Sequence, residues 1–237
     1  MIIETLSLFP KINEELEKLL NGMSFEEWNL KTKFPNWTVK DIVAHLLDTS
    51  IRKLSSEKYK FEPLSNVNIK SYEDLVLHIT NLADIWVNSF QRVSPEILKT
   101  MVTKYQTELY EYLTTIDLNK YSKNSVAWAG EKKSLNWFDI AREYTERWHH
   151  QMQIRETLQK EDVLYKKEIY QPVLEIFLKA LPYHYTKYST NKGINFELNV
   201  IGDYINQKWL LNTENRSDDI WTKVTIKDTD VWKVLTK

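Results

Sequence analysis

Glu146 and His150 are two residues whose types and spacing could do metal chemistry, and they lie four positions apart in a segment with a long helical pattern, 135–158. Residues with this spacing share one face of a helix and lie about 6 Å apart along its axis, so both can bind one metal ion. The opposite face carries Trp137 and Trp148 and is the predicted core face. Spacing alone leaves an alternative open, in which the acidic and histidine face is simply solvated.

A third candidate ligand, His45, belongs to a separate segment for which the sequence predicts a helix over 38–55. Thr38, three positions before Asp41, indicates the start of this helix, because a threonine hydroxyl can cap free backbone amides. His45 lies at the edge of the apolar arc of the helix, where a histidine is either a packing or surface residue or a ligand at the edge of a cleft. The periodicity does not show whether this helix meets the one that carries Glu146.

Other elements must position these residues. The chain of 237 residues contains only four glycines, which favours helices over most of its length. Further helices are predicted over 5–21, 72–92, 95–117 and about 170–180. The last of these has Pro172 in its first turn and ends at Leu181-Pro182.

Strand periodicity begins only after about residue 190. Apolar residues alternate with polar ones over 194–200 and again over 220–226, as in half-buried strands. A final short helix is predicted over Thr229–Leu235. The predicted fold class is therefore mainly α, with a helical bundle over 1–163 and a small α+β module over 164–237, which we interpret as reduced or truncated.

The composition excludes several classes of function. The 32 basic and 33 acidic residues give a net charge of −1, which provides no electrostatic footprint for nucleic acid or an anionic membrane. A membrane span needs about 18 consecutive apolar residues, and no run in this sequence approaches that length. The N-terminus is too polar for a signal peptide, so we expect a soluble cytoplasmic protein. Cysteine is absent, so any metal must bind nitrogen and oxygen ligands, and thiol chemistry needs an external thiol.

Two motifs resemble those of a known family. The segment from Trp37, WTVKDIVAHLLD, resembles the start of the second bundle helix in the DinB/YfiT-like superfamily, whose nearest branch is the mycothiol-dependent maleylpyruvate isomerase family. The segment from Glu143, EYTERWHHQMQI, is similar to the later metal motif of that family, a glutamate followed four residues on by a histidine. Trp209 and the closing pattern Val224–Leu235 are similar to a sterol-carrier-like module. The resemblance thus implies a DinB-like four-helix bundle followed by a sterol-carrier-like module.

This resemblance implies that His45, Glu146 and His150 bind one divalent metal ion. Two histidines and one carboxylate leave coordination positions open, as a catalytic ion requires. Zinc is the expected metal, with nickel, manganese and ferrous iron as alternatives. The resemblance also implies a small-molecule substrate, an external low-molecular-weight thiol such as mycothiol or bacillithiol, and a homodimer.

Three more residues are assigned to the pocket or to contacts behind the ligands: His149, Glu143 and Trp128. His149 lies three positions after Glu146, and because a Glu-x-x-His pair also occurs in di-iron bundles, a dinuclear site that includes Glu143 is an alternative. His149 as a packing residue and Trp128 as an anchor for its own loop are further alternatives. No catalytic acid or base is assigned.

Three functions remain open. The first is a metal-dependent enzyme that uses an external thiol for transfer or isomerisation of a small electrophilic substrate. The second is metal-dependent hydrolysis of an amide or ester, with Glu143 or His149 as a proton shuttle. The third is non-enzymatic, in which the C-terminal module binds an apolar ligand or a second subunit through Trp209, Trp221 and Trp232.

One departure from the family pattern concerns the substrate. The isomerase branch uses an arginine in its C-terminal module, and Arg216 is the only arginine after residue 155. The sequence around Arg216 does not match the family there, so maleylpyruvate itself is not predicted as the substrate.

Overall fold

The chain is mainly helical, as a computed structural model shows for residues 2–34, 36–62, 67–188, 194–213 and 221–236. The helices before the sheet are α1 Phe9–Asn21, α2 Val39–Lys53, α3 Tyr72–Ser89, α4 Pro95–Leu113, α5 Asn136–Leu158, α6 Asp162–Tyr165, α7 Lys167–Leu178 and α8 Leu181–Tyr188. The sheet has strands β1 Ile194–Ile201, β2 Gln207–Thr213 and β3 Trp221–Lys227, and α9 Asp228–Leu235 follows it. The predicted fold class is confirmed. Within these ranges, no helix is both long and apolar enough to cross a membrane.

Side-chain caps explain where the long helices begin. Asp41 accepts a hydrogen bond from the backbone amide of Thr38 at 2.8 Å, and the Thr38 hydroxyl accepts one from the Asp41 amide in return. Ser71 and Asp74 form the same reciprocal pair at the start of α3. The hydroxyl of Ser94 caps α4. Each pair satisfies backbone donors that the first helical turn leaves free.

Two predicted helix boundaries near the C-terminal module are wrong. Pro172 lies in the interior of α7, which begins at Lys167, rather than in a first turn. Leu181-Pro182 begins α8 instead of ending the preceding helix. A proline in the first turn removes only an amide that has no partner in the helix, so this position is compatible with a start.

Helices α1, α2, α4 and α5 form the bundle, and α2 is buried along most of its length. Helix α3 packs against α2 through Ala83 and Val87, in the C-terminal half of α3. In the N-terminal half of α3, the side chains of Val76 and Leu77 are 44% and 62% exposed. This half of α3 therefore presents an exposed apolar surface.

The three-stranded sheet packs against the bundle through one continuous core. Strand β1 is central, antiparallel to β2 and parallel to β3. The ring of Trp148 in α5 stacks on Tyr170 in α7 at 5.0 Å and meets the edge of Trp232 in α9 at 5.6 Å. All three rings are buried. The predicted domain boundary after residue 163 falls within α6, and this boundary and the sterol-carrier likeness stay predictions.

Candidate metal centre

His45 is buried between two aromatic rings. The neighbouring residues Ile42 and Leu46 are fully buried, which draws this face of α2 into the core. The ring of His45 lies 5.1 Å from that of Trp37 and 4.6 Å from that of His150, between ring centres. The helix that carries His45 and the helix that carries His150 therefore meet at these two side chains.

Glu146 and His150 complete a cluster of three groups that could bind one metal ion. Within the described parts of the chain, one ligand atom from each of His45, Glu146 and His150 lies within 4.8 Å of the other two. His150 Nε2 is 3.3 Å from Glu146 Oε2, close to the separation of about 3.4 Å for two tetrahedral ligands with bonds of about 2.1 Å. The solvated-face alternative is wrong, because Asp139 and Glu143 on that face are 2% and 5% exposed.

The protonation states of His45 and Glu146 suit a cation. Burial, followed by the charge of His150, lowers the pKa of His45 to about 3, so this imidazole is neutral at neutral pH. Burial alone would raise the pKa of Glu146, but the hydrogen bond and charge of His150, together with Arg142, lower it well below its usual range. Neutral imidazoles and ionised carboxylates are the forms that bind metal ions.

An orphaned ring nitrogen also fits a metal site. His45 Nδ1 is buried and has no hydrogen-bond partner among the described residues. Leaving a buried polar atom unpaired costs about 1–3 kcal/mol, a cost that a ligand bound at Nδ1 itself would offset. Two imidazoles and one carboxylate form a donor set that fits zinc and related divalent ions. The residues present therefore fit the ion that the sequence predicts.

Gln153 contacts both neighbouring histidines from behind. His150 Nδ1 lies 2.9 Å from Gln153 Oε1, and Gln153 Nε2 lies 3.4 Å from His149 Nε2. With the amide oriented in this way, Nδ1 of His150 donates to Gln153, and Nε2 is the ring nitrogen that faces Glu146 and would bind an ion. The other side of the His149 ring meets the edge of Trp232 at 5.6 Å. His149 is thus a contact behind the ligands, and burial lowers its pKa to about 4.

A cavity of about 740 Å³ opens beside the cluster, with His45 and Glu146 in its wall. Its apolar side is formed by the first two turns of α3 and two nearby aromatic residues: Tyr72, Leu75, Val76, Ile79, Phe61 and Trp128. Its polar side follows the last turns of α2 and includes Thr49, Arg52 and Lys53. This volume is in the usual range for small-molecule sites.

A buried network of charges ties α2 to α5 next to the cavity. Lys53 Nζ lies 2.5 Å from Asp139 Oδ2 and 3.0 Å from Glu57 Oε1. Glu57 belongs to the π-helical turn Leu54–Lys58 that continues α2. Arg142 bridges Asp139 and Glu143 at 2.8 Å and 2.6 Å. The network therefore fixes the spacing of the two helices that carry the candidate ligands.

The remaining predicted site residues separate into two groups. Glu143 and Trp128 line the cavity, whereas His149 is not among its lining residues. Neither Glu143 nor His149 belongs to the cluster of three metal-binding groups found among the described residues, which argues against the dinuclear alternative. Arg216 lies outside the described residues.

Trp128 owes its position to a glycine and two phenylalanines. The short helical turn Ala127–Ala129 ends at Gly130, whose φ of 80° is in the left-handed region that favours glycine. The Trp128 ring packs against Phe138 at 6.1 Å and Phe177 at 6.3 Å. The alternative of a loop anchor is compatible with these contacts, so Trp128 both anchors its loop and lines the cavity.

The sequence analysis missed three residues beside the cluster: Arg52, Lys53 and Gln153. Local spacing could have indicated two of them, since Arg52 lies seven residues after His45 and Gln153 three after His150, on the same helical faces. Lys53 has no such signal, because its partner Asp139 comes from a distant part of the chain.

A comparison with protein families supports the resemblance. Residues 9–52 match the family model described as the mycothiol maleylpyruvate isomerase N-terminal domain. The resemblance predicted from the sequence is confirmed there. The matched segment of this isomerase family spans α1 and most of α2, including His45, and ends before the Glu146 and His150 motif. No curated protein and no solved structure matches the chain significantly.

Proposed function

We propose that this protein is a metal-dependent enzyme that uses an external low-molecular-weight thiol for transfer or isomerisation of a small electrophilic substrate. The observation that supports this function most directly is the cluster of His45, Glu146 and His150 in the wall of a cavity of about 740 Å³. The match of residues 9–52 to a mycothiol-dependent family supports the same type of reaction.

Zinc is the proposed metal, with nickel, manganese and ferrous iron as alternatives. A bound divalent ion supplies Lewis-acid chemistry, which lowers the pKa of a coordinated thiol or water. Because the chain has no cysteine, the thiol must come from a second small molecule, such as mycothiol or bacillithiol. We place the reaction in the cytoplasm.

The chain's own residues bind and orient the reactants. His45, Glu146 and His150 would hold the ion, and Gln153 would keep the proton of His150 on the nitrogen that faces away from Glu146. Trp128 and the first turns of α3 provide an apolar wall that excludes water from one side of the substrate. The cavity has room for a small molecule, and the balanced net charge of −1 gives no reason to expect nucleic acid as a partner.

Metal-dependent hydrolysis of an amide or ester is the second candidate. Glu143 favours it, because this carboxylate lines the cavity one turn before Glu146 and its Oε2 has no hydrogen-bond partner among the described residues. Such a group could move a proton to or from water or a substrate. Turnover of esters or amides without added thiol would favour hydrolysis over the thiol reaction.

The non-enzymatic alternative has less support. Trp232 is buried in the shared core against Trp148 rather than facing a ligand. Trp209 and Trp221 are only half-buried, at the edges of a small sheet. We also propose that the protein forms a homodimer, as the family resemblance implies.

Metal content per chain tests the proposed site first. We expect close to one divalent ion per chain in the wild type and its loss in His45→Ala and His150→Ala, because each variant removes one of three ligands. His184→Ala is a matched control, since this histidine is exposed and its Nε2 contacts only the carbonyl of Trp128 among its resolved hydrogen bonds. Elemental analysis by mass spectrometry gives the stoichiometry.

Consumption of thiols by the metal-loaded protein then separates the candidate reactions. Turnover of an electrophile that requires a thiol and is lost in both ligand variants would support the proposal. A wild-type protein that holds no ion after incubation with zinc, nickel and manganese would contradict it. An ion-loaded protein that is inactive with every thiol but hydrolyses esters would support the second candidate instead.

A further inference from the structure

Four basic side chains line the cavity beside the candidate metal ligands: Arg52, Lys53, Lys123 and Arg142. Three of them are neutralised by carboxylates at hydrogen-bond distance. Lys53 lies 2.5 Å from Asp139, Arg142 lies 2.6 Å from Glu143, and Lys123 is in contact with Glu62. These three cations are therefore committed to contacts within the protein.

Arg52 differs from the other three. Within the described residues it forms an ion pair with Asp48. The distance from Arg52 Nε to Asp48 Oδ2 is 3.9 Å, which is too long for a hydrogen bond. Burial raises the pKa of Asp48 in spite of the opposing effect of Arg52. The side chain of Arg52 is 47% exposed, and its two terminal nitrogens form no hydrogen bond with any of the described residues. A guanidinium in this state can bind a carboxylate through two parallel hydrogen bonds.

The position of Arg52 relates it to the metal cluster. His45, Thr49 and Arg52 follow each other at spacings of four and three residues, so they share one face of α2, and all three line the cavity. Seven residues of helix correspond to about 10 Å along the axis. Long helical side chains lean back toward the N-terminus, and Arg52 Nε lies 3.9 Å from Asp48, one turn nearer to His45.

The opposite wall of the cavity is apolar. Leu75, Val76 and Ile79 lie on the inner face of α3 over the cavity, and Phe61 and Trp128 extend this surface. These side chains favour a hydrocarbon segment rather than a second charge. The cavity therefore presents three different environments: a metal cluster, one cation that lacks a close carboxylate, and an apolar wall.

We propose that Arg52 is an anion-binding residue of this cavity and that its ligand is a small carboxylic acid with a short hydrocarbon body. This inference rests on the proposed function for the place of the reaction. In this arrangement the carboxylate of the ligand binds the two terminal nitrogens of Arg52, and its hydrocarbon part packs on the α3 wall. The reacting group then lies next to His45 and Glu146. The carboxylate belongs either to the thiol or to the electrophilic substrate.

Matched small probes test this assignment in cobalt-loaded protein. The thiol probes are 3-mercaptopropionate and its amide, 3-mercaptopropionamide, and 4-methylpentanoate is a carboxylate without a thiol. Calorimetry measures the affinity of each, and the thiolate-to-cobalt absorption band reports whether the sulfur binds the ion. Wild type, Arg52→Gln and Arg52→Lys are compared, with Arg92→Gln as the control, since Arg92 is exposed and is not among the residues that line the cavity.

We expect the wild type and Arg92→Gln to bind at least one carboxylate probe about tenfold more tightly than Arg52→Gln does, because a charge-assisted bidentate pair is lost. Arg52→Lys should recover part of this difference, since it keeps the charge without the planar fork. A preference for 3-mercaptopropionate over its amide places the carboxylate on the thiol. Binding of 4-methylpentanoate that depends on Arg52 places it on the substrate.

Two outcomes would overturn the assignment. One is equal affinity of the acid and amide probes in the wild type, together with 4-methylpentanoate binding that Arg52→Gln leaves unchanged. The other is no binding of any probe to wild-type protein. Carboxylate binding that depends on Arg52 without a thiolate band on cobalt would support the role of Arg52 and count against the thiol reaction, so the two proposals fail separately.

Discussion

A single side chain, Gln153, contacts two histidines of α5, and only His150 belongs to the cluster of candidate metal ligands. Its oxygen faces His150 Nδ1 at 2.9 Å, which leaves Nε2 of that ring directed to Glu146. Residues that hydrogen-bond to a metal ligand fix its tautomer and orientation, and their replacement commonly lowers metal affinity by about 10–100-fold. His149, on the other side of Gln153, connects this contact to Trp232.

Replacing Gln153 with leucine should weaken metal binding without unfolding the protein. We expect the metal affinity of Gln153→Leu to fall by about 10–100-fold, because His150 loses the acceptor that holds its proton on Nδ1. Competition with a chromogenic chelator measures this affinity. Gln153→Glu keeps the acceptor and should bind the metal at least as tightly as wild type. An unchanged affinity in Gln153→Leu would show that the contact does not orient the ligand.

At the scale of helices, the site depends on how α2 and α5 are held together. Asp139 in α5 accepts hydrogen bonds from Lys53, at the end of α2, at 2.5 Å and from Arg142 at 2.8 Å. Burial alone would raise the pKa of Asp139, but Arg142 and Lys53 outweigh it and lower this pKa below its usual value of 3.8. The ionised carboxylate is thus stabilised in the folded protein, and it contributes to the contact between the two helices.

This shift predicts a pH dependence of stability. Because the folded pKa of Asp139 is below the unfolded one, the contribution is fully present above about pH 4 and is lost as the pH falls through the folded value. Asp139→Asn should therefore be less stable than wild type by about 3 kcal/mol at pH 7, and this difference should shrink below about pH 4. Urea unfolding at several pH values measures it. Asp203→Asn, at an exposed turn, is the control, and a difference that does not change with pH would contradict the prediction.

At the scale of the whole molecule, the bundle and the C-terminal module share one core. Trp232 of α9 contacts Trp148 of the bundle and also His149, directly behind the metal cluster. Its indole nitrogen donates a hydrogen bond to the hydroxyl of Tyr165 at 3.2 Å. The module therefore supports the site by packing against His149, which is not among the residues that line the cavity.

Truncating Trp232 should destabilise the bundle together with the module. We expect Trp232→Ala to cost about 3–5 kcal/mol, because it leaves a large void in the shared core. Helical circular dichroism and hydrogen exchange of the β1 amides should report one common unfolding transition, at lower urea than in wild type. Val234→Ala, also in α9 but 61% exposed at that position, is the matched control. Separate transitions would show that the two parts unfold independently, as the predicted boundary after residue 163 suggests.

Local signals in the sequence were sufficient for most of the fold. The capping residue Thr38 predicted where a helix begins, because such a cap acts within three or four residues of the chain. The alternation of apolar and polar residues after residue 194 predicted the strands, because this pattern is also local in the chain. The positions of Pro172 and Pro182 in their helices were predicted wrongly. A proline lacks a backbone amide hydrogen, so its place in a helix depends on how the neighbouring backbone groups are hydrogen-bonded.

The sequence by itself determined the type of ligands, since spacing on α5 places Glu146 and His150 on one face and the absence of cysteine leaves nitrogen and oxygen donors. It did not determine that His45 meets them. The tertiary structure decided three features that join residues far apart in the chain. These are the contact of His45 with His150, the burial of Asp139 with Lys53, and the cavity that Arg52 lines. Periodicity describes how one helix presents its faces, whereas the packing of α2 on α5 decides which faces enclose a site.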